Sequence, residues 1–423
     1  MMRKRILAGS VAVAVLVAAG AFVVVPGSDA NAQQKGPAPL DLGPDAAATP
    51  WKRYTGWPAR DMVKFNTLAK LASPPAPKEP RKITGAIEGN AENGAKLVAD
   101  RNRGGSCLAC HVMGPAGGAD LPGNVGPDLS EIGNAGREDE WLFNYVFDAR
   151  VYNPETVMPP WGGHGLFNDD EIKDIVAFLK TLKSPAAFKA VLDDPMKRPA
   201  PIEKRENLDP IENPGMWAVD RGEELFKKAG GSGAACSTCH ADAKTAFKTW
   251  AASMPKWESR LSKVLGVEEF ITRHARTTTG ASMTMETDDN RSMAVYLRFI
   301  ANGQPIKVDT TSADSKAAIE RGKALSSRKV GQLNFACTDC HGISANHWIR
   351  GQWLGEMKGQ ADHFPTWRTS LQAIWDIRQR FQWCQVNIRA DELPPDAKEY
   401  GDLELYLMSQ NEGLKLSVPG IRH

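Results

Sequence analysis

Cys107-Leu108-Ala109-Cys110-His111 is the stretch on which the reading of this 423-residue chain turns, and it is echoed by Cys236-Ser237-Thr238-Cys239-His240 and Cys337-Thr338-Asp339-Cys340-His341. C-x-x-C-H is the attachment signature of c-type haem: the cysteines form thioether bonds and the adjacent histidine binds iron. A zinc site needs about four N and S donors, whereas each motif offers three with no matching cluster close by in sequence. A thioredoxin-type pair would sit in a strand–helix–strand pattern, and none is visible. Three copies, each with its histidine directly after the second cysteine, predict three covalently bound haem c groups, with His111, His240 and His341 as iron ligands.

Outward from each motif the same plan recurs. A Gly-x-x-Leu helix precedes it, at Gly94 to Leu97, Gly222 to Leu225 and Gly322 to Leu325. A helix with an aromatic-Leu pair closes it, at Phe178-Leu179, Tyr296-Leu297 and Tyr406-Leu407. In the first closing helix Ile172, Ile175, Val176, Leu179 and Leu182 keep the spacing of one buried face. The fold class is therefore mainly α: three tandem cytochrome c-like haem domains with loop-rich connections, the loops expected from 38 Gly and 28 Pro.

The boundaries follow from composition. Residues 86–184 form the first haem domain, 215–310 the second and 311–423 the third. Pro185, Pro195, Pro199, Pro201, Pro210 and Pro214 make 185–214 a semi-rigid linker, so the first domain is expected to be joined more loosely than the other two, which should pack as one body. Residues 33–85, rich in Pro and Ala, read as a linker or docking arm. Residues 1–32 carry a basic start, an apolar run from Ile6 to Val25 and Ala30-Asn31-Ala32, which describe a signal peptide, or an anchor if uncleaved. Either way the body is exported to the periplasm, and membrane contact requires an uncleaved segment. A formal net charge of +2 gives no reason to expect a nucleic-acid partner.

The sixth ligand of each haem sets its chemistry. In the first domain Met158 precedes Pro159-Pro160, where a stiff loop can hold its thioether over iron, with His164 as the alternative. Met113 is too close to His111 to reach the opposite face. In the second, His274 on a predicted helix is favoured over Met283 and Met285. In the third, the candidates are His347, Met357, His363 and Cys384, the seventh and only unmatched cysteine. Leu371, Ile374, Ile377, Phe381 and Cys384 are spaced 3, 3, 4 and 3, which predicts an apolar helical stripe facing the haem, so that Cys384 meets the iron and His347 and His363 are loop residues. Otherwise Cys384 is an inert structural thiol.

Taken together, Leu121-Pro-Gly-Asn-Val-Gly-Pro-Asp128, Asn153-Pro-Glu-Thr-Val-Met-Pro159, Arg380-x-x-x-Cys384, Arg389-Ala390 and Leu403-Glu-Leu-Tyr-Leu407 resemble the SoxAX cytochromes of the bacterial sulfur-oxidising system. Residues 96–182 are similar to the monohaem SoxX subunit and 215–423 to the dihaem SoxA subunit. The resemblance implies an L-cysteine S-thiosulfotransferase, which joins thiosulfate oxidatively to a cysteine of the carrier SoxYZ and passes two electrons to a soluble acceptor cytochrome c. It maps the reactive cysteine, often a persulfide, onto Cys384 and the SoxX methionine ligand onto Met158. The fusion of both parts in one chain and a histidine in place of the second cysteine ligand of many members are departures.

Thiosulfate is a dianion, so Arg378, Arg380 and Arg389 are expected to bind it beside Cys384 through charge-assisted hydrogen bonds. A thiolate ligand lowers the potential of the third haem and a methionine raises that of the first, so electrons are expected to run towards Met158. The competing readings are a thiosulfate dehydrogenase forming tetrathionate and a multihaem electron carrier without sulfur chemistry.

Overall fold

The computed structural model describes residues 36–44, 64–84, 87–102, 106–114, 121–201 and 207–422. The expected signal peptide, 1–32, lies outside the described residues. Pro39–His423 is one compact unit. Among the described residues no helix is long and apolar enough to cross a membrane.

The first haem domain is built on α1 (Ala91–Ala99), α2 (Asp139–Asp148) and α3 (Asp169–Thr181). Asn168 and Glu171 start α3 with a reciprocal capping box, each side chain accepting the other's backbone amide at 2.9 Å. Its buried face is Ile172, Ile175, Val176 and Leu179, as the spacing requires.

The second domain runs through α4 (Trp217–Lys227), α5 (Cys236–Cys239), α6 (Ala243–Ala252), β1 (Lys256–Glu258), β2 (Lys263–Leu265), α7 (Val267–Thr278) and α8 (Asp288–Ile300). The third has α9 (Ala313–Ser326), β3 (Trp348–Ile349), β4 (Gln352–Trp353), β5 (Thr366–Arg368), β6 (Ala373–Trp375), α10 (Ile377–Asn387), α11 (Lys398–Gln410) and β7 (Gly420–Arg422).

One packing contact repeats in all three. α1 lies on α3, α4 on α8 and α9 on α11. At each crossing the glycine of Gly-x-x-Leu meets the closing helix. A Cβ on Gly94 would lie 2.0 Å from the Asp174 carbonyl oxygen, on Gly222 2.2 Å from that of Ser292, and on Gly322 2.2 Å from that of Asp402. The aromatic residue of each closing helix, Phe178, Tyr296 or Tyr406, packs its Cβ on the same glycine. The recurring sequence pattern is thus the imprint of a helix crossing too close for any side chain.

The second and third domains share a further unit, an antiparallel hairpin followed by a helix. β1 pairs with β2, and β5 with β6; β7 adds a parallel strand to β5. Thr366 follows Lys256 by 110 residues, and Cys384 follows His274 by the same interval. These hairpins correct the predicted stripe. Leu371 lies in the β5–β6 turn and Ile374 on β6, because Asp376 caps α10 by accepting the Gln379 amide at 2.8 Å. Only Ile377, Phe381 and Cys384 share the helix.

The first domain is not loosely attached, which corrects the expectation drawn from its Pro-rich linker. Leu333 and Phe335 of the third domain belong to the apolar core that contains Leu97, Phe143 and Ile172. Backbone bonds cross the seam from Arg350 to Ala109 at 2.9 Å and from Asn124 to Trp348 at 3.0 Å. The linker is clasped to the seam: Arg198 donates to the Arg350 carbonyl at 2.8 Å and to that of Pro122 at 3.4 Å, its guanidinium over the Trp348 ring.

The described parts of the N-terminal arm also dock. Leu68 is buried with Leu325, Val330 and Leu403, and Arg81 makes a two-pronged pair with Asp169 at 2.8 and 2.7 Å.

Candidate functional site

The histidine of the first motif presents one ring nitrogen to the chain and keeps the other. His111 Nδ1 lies 2.8 Å from the Pro127 carbonyl oxygen, and Gly126 makes room for the ring, since a Cβ there would fall 2.3 Å from His111 Cε1. His341 repeats the arrangement, with Nδ1 2.7 Å from the Gly355 carbonyl oxygen. A carbonyl at Nδ1 fixes the tautomer and leaves Nε2 to bind metal.

In the second domain the His240 and His274 ring centres are 6.3 Å apart. With each nitrogen–metal bond about 2 Å long and each ring nitrogen just over 1 Å from its ring centre, that gap suits two imidazoles on opposite sides of one iron. His274 Nδ1 is 2.8 Å from the Pro39 carbonyl oxygen, again leaving Nε2. The donor sets therefore fit haem.

The remaining candidate donors lie in packed surroundings. His164 is buried in the seam with Nδ1 2.8 Å from the Gln332 carbonyl oxygen and Nε2 3.4 Å from Arg150, and burial pushes its pKa down to about 4. Met283 is part of the second domain's core. His363 lies in the loop before β5, as expected, and is buried there against Asp362 at 2.8 Å. Met158 packs at the edge of the first core, its amide donating to the Thr156 hydroxyl at 3.1 Å.

Cys384 stands on α10, half-buried, close enough to Cys337 and Cys340 that a thiolate on it would raise both of their pKa values. Cys110 lies within electrostatic reach of Cys340, and the Arg350 amide bonds the Ala109 carbonyl at 2.9 Å, so the first motif meets the third domain across the seam. At about 100° per residue, Arg380 stands about 40° around the helix from Cys384 and Arg378 about 120°. Arg380 therefore shares the cysteine's side. It acts on His341, and its Nη1 is buried without a hydrogen-bond partner among the described residues. Arg389, just beyond α10 with φ 57°, donates Nε to the Gln332 side-chain oxygen at 2.6 Å.

Arg378 does not join them, a correction to the predicted cluster. It is buried on the opposite side, bonded to Glu404 at 2.9 Å and Glu269 at 2.8 Å. Glu269 also pairs with Lys263 at 2.7 Å and Arg273 at 2.9 Å, so Arg378 belongs to an ionic layer joining the second and third domains. Next to this layer, burial first and then the charges of Asp376 and Glu404 push the Glu268 carboxyl up to about 8.

Comparison with known proteins matches this architecture. The family model described as SoxA/TsdA, cytochrome c domain, fits residues 221–306 and 321–416. The L-cysteine S-thiosulfotransferase subunit SoxA of Pseudaminobacter salicylatoxidans is 32% identical over 223 residues, covering 52% of this chain and 77% of that protein. This chain belongs to the SoxA family. The SoxA subunit of Allochromatium vinosum is 28% identical over 226 residues, covering 52% of this chain and 78% of its own. The crystal structure of SoxXA from P. pantotrophus aligns at 26% identity over 50% of this chain and 80% of that one, with a TM-score of 0.47. Ahead of the SoxA part, residues 89–179 match the model described as cytochrome C oxidase, cbb3-type, subunit III. This SoxA-family chain thus carries covalently bound haem c on cytochrome c domains at both ends of its body.

Sequence reading missed Pro39, Gln332 and Arg350. Pro39 and Gln332 act through backbone or amide groups on partners more than fifty residues away, and Arg350, whose charge reaches Cys110, sits on a hairpin with no alternating pattern. Nothing local in the sequence marks them.

Proposed function

We propose that this protein is an exported L-cysteine S-thiosulfotransferase that joins thiosulfate to a cysteine of the carrier SoxYZ and delivers two electrons to a soluble acceptor cytochrome c, working in the periplasm. Its domains are a SoxX-like unit, 86–184, and two SoxA-like units, 215–310 and 311–423. Cys107 and Cys110, Cys236 and Cys239, and Cys337 and Cys340 would hold three haem c groups, with His111 and Met158, His240 and His274, and His341 and Cys384 as the residues that would bind their irons. When bound, the haems supply one-electron acceptors beside the sulfur chemistry.

The observation that carries this reading is the placement of Cys384 beside the third motif with the open Nη1 of Arg380 on the same side of α10. Arg380 and Arg389 hold the thiosulfate dianion through charge-assisted hydrogen bonds. The Cys384 thiolate bonds to the sulfane sulfur, giving Cys384–S–SO₃⁻ on its Sγ with loss of two electrons. The carrier thiolate then attacks that sulfane sulfur and releases the Cys384 thiolate, as in thiol–disulfide exchange. The net change is carrier thiolate plus thiosulfate giving carrier S-thiosulfonate and two electrons. The adjacency of Cys340 and Cys110 supports a direct route from the Cys384 site to the Met158 site.

The test follows visible absorbance after thiosulfate is added, alone and together with the carrier thiol, in the wild type and Cys384→Ala. One round of reduction by thiosulfate alone, which becomes catalytic only when the carrier thiol is present and vanishes in the variant, is the expected result. Catalytic reduction by thiosulfate alone with tetrathionate formed, or equal behaviour of the two proteins, overturns it.

A further inference from the structure

The ring of His274 is fixed from outside its own domain. Its Nδ1 reaches the Pro39 carbonyl, 235 residues away in sequence. Around that bond the segment 39–44 is seated on α7 by both backbone and side chain. Leu40 is buried, and the Asp41 amide donates to the Arg273 carbonyl at 3.1 Å. Arg273 Nη1 returns bonds to the carbonyls of Asp41 at 2.9 Å and Gly43 at 2.8 Å. The Asp41 carboxylate pairs with Arg276 at 3.3 Å and accepts the Gly43 amide at 2.9 Å, which folds the segment into a turn. On its other side the His274 ring stacks on Phe270, with centres 5.5 Å apart and planes at 21°.

We propose that residues 39–44 are a positioning strap for the distal ligand of the middle haem. The Pro39 carbonyl accepts a hydrogen bond from the His274 Nδ1–H, which fixes the tautomer and turns Nε2 towards the space facing His240. The inference rests on His274 being an axial ligand. A ligand histidine that donates to a carbonyl is held in orientation and made more basic, and loss of such a partner typically weakens ligation by about 10–100-fold. The segment 39–44 is therefore a structural part of the middle haem site. Unseating it leaves His274 without its acceptor and opens the iron to added ligands.

The experiment uses the full haem-loaded chain in the ferric state. Low-temperature electron paramagnetic resonance separates the middle haem by its bis-histidine ligand set, and the rate of cyanide binding reads how readily the distal ligand leaves. Leu40→Asp removes the apolar seat of the strap. It should shift or abolish the bis-histidine signal and raise the cyanide rate by about tenfold or more. The double variant D41A/R276Q leaves Leu40 seated and should move both readouts in the same direction by less; it decides the matter if Leu40→Asp loses haem in a pyridine haemochrome assay. His274→Met is the reference for the ligand itself. An unchanged signal in His274→Met shows that His274 does not bind iron, and both the ligation and the strap fail. A changed signal there, with Leu40→Asp and D41A/R276Q both like the wild type, overturns the strap alone.

Discussion

Replacing Arg378 with alanine separates a structural arginine from a substrate-binding one. The guanidinium donates to Glu404 at 2.9 Å, to Glu269 at 2.8 Å and to the Pro395 carbonyl at 3.0 Å, in a site that is almost fully buried. Glu269 would keep Lys263 and Arg273, so most of the loss falls on Glu404, whose remaining cation, Arg298, is 3.8 Å away. A hydrogen bond to a charged group contributes about 1.5–3 kcal/mol, and breaking one side of a buried ion pair costs about 3–5 kcal/mol. Arg378→Ala is thus expected to lose about 3–5 kcal/mol of unfolding free energy. Urea titration followed by near-ultraviolet circular dichroism would read this as a lower midpoint with little change in slope. Thiosulfate-dependent turnover of the folded fraction should stay close to wild type, because the side chain points away from Cys384. An unfolding free energy within about 0.5 kcal/mol of wild type, the range of an ordinary surface substitution, together with lost turnover, would refute the assignment.

Gly222→Ala places a methyl 2.2 Å from the Ser292 carbonyl oxygen, so α4 and α8 must move apart; a loss of about 1–3 kcal/mol is expected in the same titration, and a neutral result would mean the crossing is not tight. Glu268→Gln tests the raised carboxyl. The folded protein keeps a proton up to about 8 that the unfolded chain releases near its ordinary 4.5, so wild-type stability falls as pH rises through that window and the deficit is complete above it. Glutamine carries no such penalty, so the variant's advantage should grow from pH 5 to pH 9 by an amount on the order of a few kcal/mol; an advantage that does not change with pH would show that Glu268 is ionised in the fold.

The fold was legible in the sequence where one physical demand repeats. Three C-x-x-C-H motifs, each between a glycine-bearing helix and an aromatic-Leu helix, reveal the domains because the glycine crossing leaves the same mark each time. The hairpins were not legible, since strands of two or three residues are too short to show alternation. That blindness produced the stripe drawn through Leu371 and Ile374. The basic cluster around Cys384 was legible as charge but not as side: Arg378 and Arg380 are close in sequence and lie about 160° apart on the helix. A helical reading of that stretch alone would have set Arg378 aside.

Contacts between distant segments left no local trace, and they decide how the parts work together. A free linker would give the first domain only an effective concentration in the millimolar range near the third. Instead Arg198 ties the linker to Pro122 and Arg350, and Leu333 and Phe335 complete the first domain's core. The Arg350 amide bonds the carbonyl of Ala109, inside the first motif, and the charge of Arg350 reaches Cys110. The seam therefore joins the backbone of one haem motif to the hairpin that follows another. Because the seam includes Gln332, which holds Arg389 while its amide donates to the His164 carbonyl at 2.9 Å, docking of the first domain also fixes the arginine that follows α10. Fusion into one chain secures a fixed seat for the first domain, and the same seat orders Arg389 at the end of α10.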